Sequence, residues 1–197
     1  MGKPIDLDSL RIAVRDHAAV PSSDYDLNPD VSLPPGRRLR PAAVLIPVLG
    51  DTVILTKRAS HLKHHPGQIA LPGGKIDDGD ADPTAAALRE AREEIALEPG
   101  NVGLIAALPP HETVTGYSVT PILAQVHAEF DAVAEEGEVA EVFRVPLDFL
   151  MNPANYRVEW RRWRGAKRHY YVAPYGPYYI WGATARILKS LADRVAA

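Results

Sequence analysis

The chain has 197 residues, 46% of them hydrophobic, and a formal charge of -3; that is enough to bury the core of one domain with appendages, and it gives no global attraction for nucleic acid. It contains no cysteine, which excludes disulfides, thiol nucleophiles and thiolate-held zinc. No long apolar run and no basic, hydrophobic leader stands near the N-terminus, so the expectation is a cytoplasmic protein with no membrane span and no secretory signal.

Leu7 to Val20 is predicted as an amphipathic helix, with Leu10, Ile12, Val14, Ala18 and Ala19 partly periodic. A linker rich in Pro and Asp follows to Arg40, so residues 1–40 read as a helix plus linker and 41–197 as the main domain. Pro41 to Leu49 and Thr52 to Lys57 form a predicted hairpin around Gly50-Asp51. In its second strand Val53 and Leu55 oppose Ile54 and Thr56, which brings Lys57 and Arg58 out at the end. Lys63, His64 and His65 follow in a polar turn and extend this into a basic patch. The two histidines read as surface or hydrogen-bonded groups, since a carboxylate site needs no imidazole.

Next comes LPGGKIDDGDADPTAAALREAREEIAL, from Leu71 to Leu97. Asp82 suits a helix N-cap and Pro83 the first helical position. At 3.6 residues per turn Thr84, Ala87, Leu88, Ala91 and Ile95 make one apolar stripe, with Glu90, Glu93 and Glu94 expected on the opposing side. Those carboxylates lie three and four residues apart, so they crowd and repel unless a cation sits between them. Hard oxygen ligands of this kind suit Mg²⁺ or Mn²⁺. Arg89, one turn before Glu93, can hold that carboxylate by a charge-assisted hydrogen bond. REAREE alone would pass for a solvated helix face. Upstream, Pro72-Gly73-Gly74 can turn sharply and offer carbonyls to a metal, and Asp77, Asp78 and Asp80 add carboxylates in the loop.

Further strands are predicted near Val102 to Leu108, Val119 to Val126 and Glu141 to Val145. A hairpin of Tyr156 to Trp163 with Arg168 to Val172 crosses Gly165, and a closing helix runs from Ile180 to Val195. Strands and helices interleave irregularly, which reads as an α+β fold with a mixed sheet. Asp131 to Glu141 carries Glu135, Glu136, Glu138 and Glu141 in an apparent loop. Tyr170, Tyr171, Tyr175, Tyr178, Tyr179 and Trp181 have three readings: hairpin packing, a homodimer interface, or a surface that stacks on a planar ring or lines a ligand channel.

The Leu71 to Leu97 segment resembles the Nudix box, with Gly74, Arg89, Glu90, Ala91, Glu93, Glu94 and Leu97 in the corresponding places. Asp80 stands where the pattern has its first Glu, with eight rather than seven residues between it and Arg89, and Ala96 replaces the closing Gly. Upstream, ILTKRASHLKHHPGQIALPGG from Ile54 to Gly74 is similar to the signature of the coenzyme A pyrophosphatase subgroup, matched by Thr56, Arg58, Ala59, Gly67, Pro72, Gly73 and Gly74. Ile54, Lys63 and Leu71 depart conservatively. Lys63 gives a point charge where that signature has the planar fork of Arg.

This resemblance implies a Nudix-type α/β/α sandwich over residues 41–197. It also implies Mg²⁺- or Mn²⁺-dependent cleavage of coenzyme A or its thioesters to 3′,5′-ADP and a phosphopantetheine compound. The metal would be held by Glu90, Glu93 and Glu94 with a Gly73 or Gly74 carbonyl, Arg58, Lys63 and Gly67 would belong to the substrate site, and Glu138 would be the distal catalytic carboxylate. Two alternatives stay open: hydrolysis of ADP-ribose, a dinucleotide or a nucleoside triphosphate, and a Nudix-fold module that senses a nucleotide without cutting it.

Overall fold

The run RPAAVLIPVL can bury both faces of a strand, and the fold is built around it. The computed structural model describes residues 4–16, 20–33, 35–163 and 165–197. In chain order, helix α1 (Leu7–Asp16) and a short β1 (Ser22–Ser23) precede the hairpin of β2 (Arg40–Leu49) and β3 (Thr52–Arg58). The short strands β4 (Ile69–Ala70) and β5 (Gly73–Lys75) lead into helix α2 (Pro83–Ile95). Strands β6 (Val102–Ala107), β7 (His111–Glu112), β8 (Tyr117–Val126) and β9 (Val139–Pro146) follow, then a one-turn helix α3 (Leu147–Leu150). The chain closes with β10 (Arg157–Trp163), β11 (Ala166–Tyr175), β12 (Tyr178–Trp181) and helix α4 (Gly182–Val195).

β2 pairs in parallel with β8 along its whole length, from Arg40↔Tyr117 to Leu49↔Val126, and meets β3 antiparallel at Val48↔Val53 and Leu49↔Thr52. The sheet around them has nine strands and is mixed. Side chains alternate between its faces. Ala42, Ile46, Val53, Leu55 and Leu123 face a core closed by Leu10 of α1 and Ala185, Leu188 and Leu191 of α4. Ala43, Leu45, Ile54, Ile122 and Ala124 face Ala86, Ala87, Ala91 and Ile95 of α2. Helices thus cover both faces of a mixed sheet, as expected of an α/β/α sandwich. β10, β11 and β12 form a separate antiparallel sheet of three strands. Among the described residues no helix is long and apolar enough to cross a membrane.

Two expectations are corrected, and the first helix is described over part of its expected length. The first helix is seen over Leu7–Asp16; Ala18 and Ala19 lie outside the described residues. The stretch expected as a linker is tied into the body. β1 pairs with β7, and Asn28 exchanges hydrogen bonds with the backbone of His169 at 2.8 and 2.9 Å. The fully buried His111 bridges Ser22 Oγ at 2.9 Å and Asp24 Oδ1 at 3.1 Å. That grouping has the members of a hydrolytic triad, but its imidazole has no exposed surface, so it serves to anchor the segment. The closing helix starts at Gly182 rather than Ile180, because Tyr178–Trp181 returns across Gly176-Pro177 to pair with β11 at Tyr175↔Tyr178.

Candidate active site

β5 places the glycine loop against the sheet through Ala43↔Gly74 and Val44↔Gly73. A Cβ at Gly73 would lie 2.4 Å from the Ala43 carbonyl oxygen and 2.6 Å from Val44 Cα, both backbone atoms, so no side chain fits. At Gly74 a Cβ would lie 2.4 Å from Glu90 Oε1. The missing side chain at Gly73 thus lets the loop pack against β2, and the one at Gly74 leaves room for the Glu90 carboxylate. The helix begins as expected: the Asp82 carboxylate accepts the Ala85 N–H at 2.8 Å and Pro83 is the first residue. Ala86, Ala87 and Ala91 are fully buried and small, so the helix sits close to the sheet.

This closeness overturns the simple division into packing and ligating faces. Glu94, expected beside Glu90 and Glu93 on the polar side, is only 5% exposed. Its Oε2 accepts the Gly73 N–H at 3.1 Å. Burial is the main cause that pushes its pKa up to about 8; the Gly73 hydrogen bond and the charge of Arg58 oppose the rise, while Glu90 and Glu138 add to it. Glu90 is raised as well, first by burial and then by Glu93 and Glu138, against the pull of Arg89. Glu138 is exposed, yet its loop is fastened to the end of α2 by Glu135 N–H donating to Glu94 O at 3.0 Å and to the end of β3 by Ala59 N–H donating to Glu138 O at 2.8 Å. The structure thus brings Glu138 within electrostatic reach of Glu90 and Glu94.

Arg89 makes the expected bond to Glu93, 3.0 Å to Oε2, and also reaches Glu90 Oε1 at 3.1 Å and the Lys75 carbonyl at 3.1 Å. Its bidentate hold was not foreseen. Nε and Nη2 donate to the two oxygens of Asp80 at 3.0 Å each, a bidentate fork that holds the Asp80 carboxyl below its usual range and raises the guanidinium. Asp77 lies 3.5 Å from the same guanidinium, and Asp78 stays exposed. The signal was present in the sequence as the acidic residue nine positions before Arg89, though only the loop's path makes them neighbours.

The charge of Arg58 acts on Glu94, and among the described residues its buried Nε has no hydrogen-bond partner. Gly67 turns the chain with φ 68° and donates to Arg58 O at 3.1 Å. Lys63 is exposed and makes no ion pair among the described residues.

Among the described residues no three carboxylate or imidazole groups form a preformed cation cage; the exposed Glu93 is held by Arg89. The donors present nevertheless fit a hard divalent cation. They are carboxylate oxygens that burial and mutual repulsion have made costly to ionise, set against a glycine pair with no side chain to fill the gap.

The sequence matches the NUDIX domain family over residues 38–164. A protein of Enterobacter sp. (strain 638) named "Uncharacterized Nudix hydrolase NudL" is 44% identical over 159 residues, covering 79% of this chain and 83% of its own. The protein of that name in Escherichia coli (strain K12) is 42% identical over the same shares. A solved structure of a NUDIX hydrolase from Nitrosomonas europaea is 18% identical, with a TM-score of 0.48, over 60% of this chain and 63% of that one.

Proposed function

The chain belongs to the Nudix family of hydrolases that act on pyrophosphate bonds, and from that premise we propose that it cleaves the diphosphate of coenzyme A or its thioesters, giving 3′,5′-ADP and (acyl-)4′-phosphopantetheine. The observation that carries the chemistry is the buried Glu94 carboxylate, held against Gly73 with Glu90, Glu138 and Arg58 all acting on it. The signature from Ile54 to Gly74 supports the choice of substrate, and the charge of its Arg58 acts on Glu94.

Glu90, Glu93 and Glu94, with the Gly74 carbonyl, are the residues that would hold Mg²⁺ or Mn²⁺. Bound there, the cation would neutralise diphosphate oxygens and acidify an attacking water. Arg89, locked by Asp80, keeps Glu90 and Glu93 oriented. Arg58 offers positive charge to a diphosphate oxygen, with Lys63 as an outer phosphate contact. Glu138, exposed and facing Glu90 and Glu94, is assigned the proton that water gives up.

Mass spectrometry of the products after incubation with coenzyme A and Mg²⁺ or Mn²⁺ tests the reading. Release of 3′,5′-ADP supports it. Turnover of ADP-ribose, a dinucleotide or a nucleoside triphosphate in preference to coenzyme A would leave a Nudix hydrolase with another substrate.

A further inference from the structure

Lys57 and Arg58 are successive residues at the end of β3, and strand geometry sends their side chains to opposite faces. Arg58 acts on Glu94. Lys57 lines a second, open cleft between the Gly67 turn and the sheet of β10 to β12, with a volume of about 390 Å³. Its walls include Lys57, His65, Arg161, Tyr178, Tyr179 and Trp181, and no described carboxylate residue lines it. The guanidinium of Arg161 stacks over the Trp181 ring at 4.3 Å, is exposed, and makes no ion pair among the described residues. A stacked guanidinium keeps its N–H edge free for a phosphate. The hydroxyls of Tyr178 and Tyr179 donate to Glu141 and Glu159, and the Tyr178 ring stacks on Phe143 at 3.6 Å, contacts that hold both rings in place at the cleft.

The cleft and the carboxylate cluster are joined around the turn. His65 feels the charges of both Arg58 and Arg161, in addition to the desolvation that is the main cause holding its pKa down and against a hydrogen bond to Gln68. An acidic cluster that accepts a cation and a diphosphate therefore lies next to a basic, aromatic-walled cleft. Resting on the coenzyme A reading above, we infer that this cleft takes the 3′-phosphoadenosine half of the substrate, with Arg161 the residue that reads the 3′-phosphate and the aromatic walls receiving the purine. Trp181, Tyr178 and Tyr179 lie beyond residue 164, outside the stretch matched by the family.

The test is calorimetric titration of the whole chain, without metal, with 3′,5′-ADP and with 5′-AMP. The wild type should bind 3′,5′-ADP at least about ten-fold more tightly. Arg161→Ala, at an exposed position where folding is checked by an unchanged melting temperature, should abolish most of that preference and change 5′-AMP affinity less than about three-fold. An undiminished preference in the variant, or none in the wild type, overturns the inference. Coenzyme A hydrolysis is assayed in parallel. If the wild type cleaves coenzyme A while Arg161→Ala keeps the full preference, the cleft assignment fails and the activity stands. If coenzyme A is not cleaved while the preference depends on Arg161, the cleft assignment is supported and the substrate reading fails.

Discussion

Replacing Glu94 by Gln should raise the stability of the metal-free protein while removing its activity. Gln keeps the volume and an oxygen for the Gly73 N–H, so the contact at 3.1 Å survives. What disappears is a charge that the fold pays to bury. The folded-state pKa is about 8 against an ordinary 4.5. Below pH 4.5 the carboxyl is protonated in both folded and unfolded chains and costs nothing. Between 4.5 and 8 the folded chain holds a proton the unfolded chain has released, so stability falls with rising pH by about 1.4 kcal/mol per unit. Above 8 both are ionised and the loss is complete, about 3–5 kcal/mol. Urea unfolding in EDTA at pH 5, 7 and 9 reads this directly. Glu94→Gln should exceed the wild type by that amount at pH 9 and by little near pH 5, and should turn over coenzyme A at least about 100-fold more slowly with saturating Mg²⁺. A variant no more stable than wild type at pH 9, or a gap that does not narrow toward pH 5, would refute the assignment of Glu94 as a buried, destabilising carboxylate.

Mg²⁺ or Mn²⁺ at about 100 times its dissociation constant should stabilise the wild type by about 2.7 kcal/mol; the absence of a thermal shift at millimolar metal would mean the glutamates bind no cation. Arg89→Lys cannot keep the bidentate hold on Asp80, so kcat should fall about ten-fold or more with little change in melting temperature; a wild-type kcat would remove Arg89 from the site's architecture. Arg58→Ala should cost about 1–3 kcal/mol in kcat/KM on coenzyme A and on dephospho-coenzyme A alike, because its charge faces Glu94, whereas the exposed Lys63→Ala should cost less than about 1 kcal/mol. Ala96 closes α2 in the left-handed conformation, φ 58°, so Ala96→Gly should raise stability by up to about 1 kcal/mol, measured by thermal melting.

What the sequence showed was local chemistry. The Asp82-Pro83 helix start, the two-residue turn at Gly50-Asp51 and the alternation of Val53 and Leu55 against Ile54 depend on neighbours within one turn or one strand, and each appears in the structure. The features missed depend on partners far along the chain. β12 exists because Tyr175 finds Tyr178 across Gly176-Pro177, in competition with a helical start that Ile180 and Trp181 would also tolerate. Asn28 is fixed by His169, 141 residues away. The burial of Glu94 follows from small residues at 86, 87 and 91 and from Gly73 arriving off a different strand. Periodicity assigned Glu94 to the polar face because a carboxylate is polar, and the approach of helix to sheet is not a periodic property.

The charges of the site are unevenly compensated, and this bears on the proposed cation. Arg89 is held by Asp80 on one side, which leaves its Nη1 for Glu90 and Glu93 at 3.1 and 3.0 Å. Those two carboxylates therefore already share a counterion supplied by the fold. Glu94 has no such contact with Arg89; its direct donor is the neutral Gly73 N–H, and the opposing positive charge comes from Arg58 through space. Its pKa, raised to about 8, records that shortfall. If a cation enters between Glu90 and Glu94 as proposed, it would gain most from the group whose ionisation is most costly, and its binding would be coupled to release of the Glu94 proton. The glycines beside it are constrained for separate reasons: a side chain at 73 would meet the backbone of β2, and one at 74 would meet the Glu90 carboxylate.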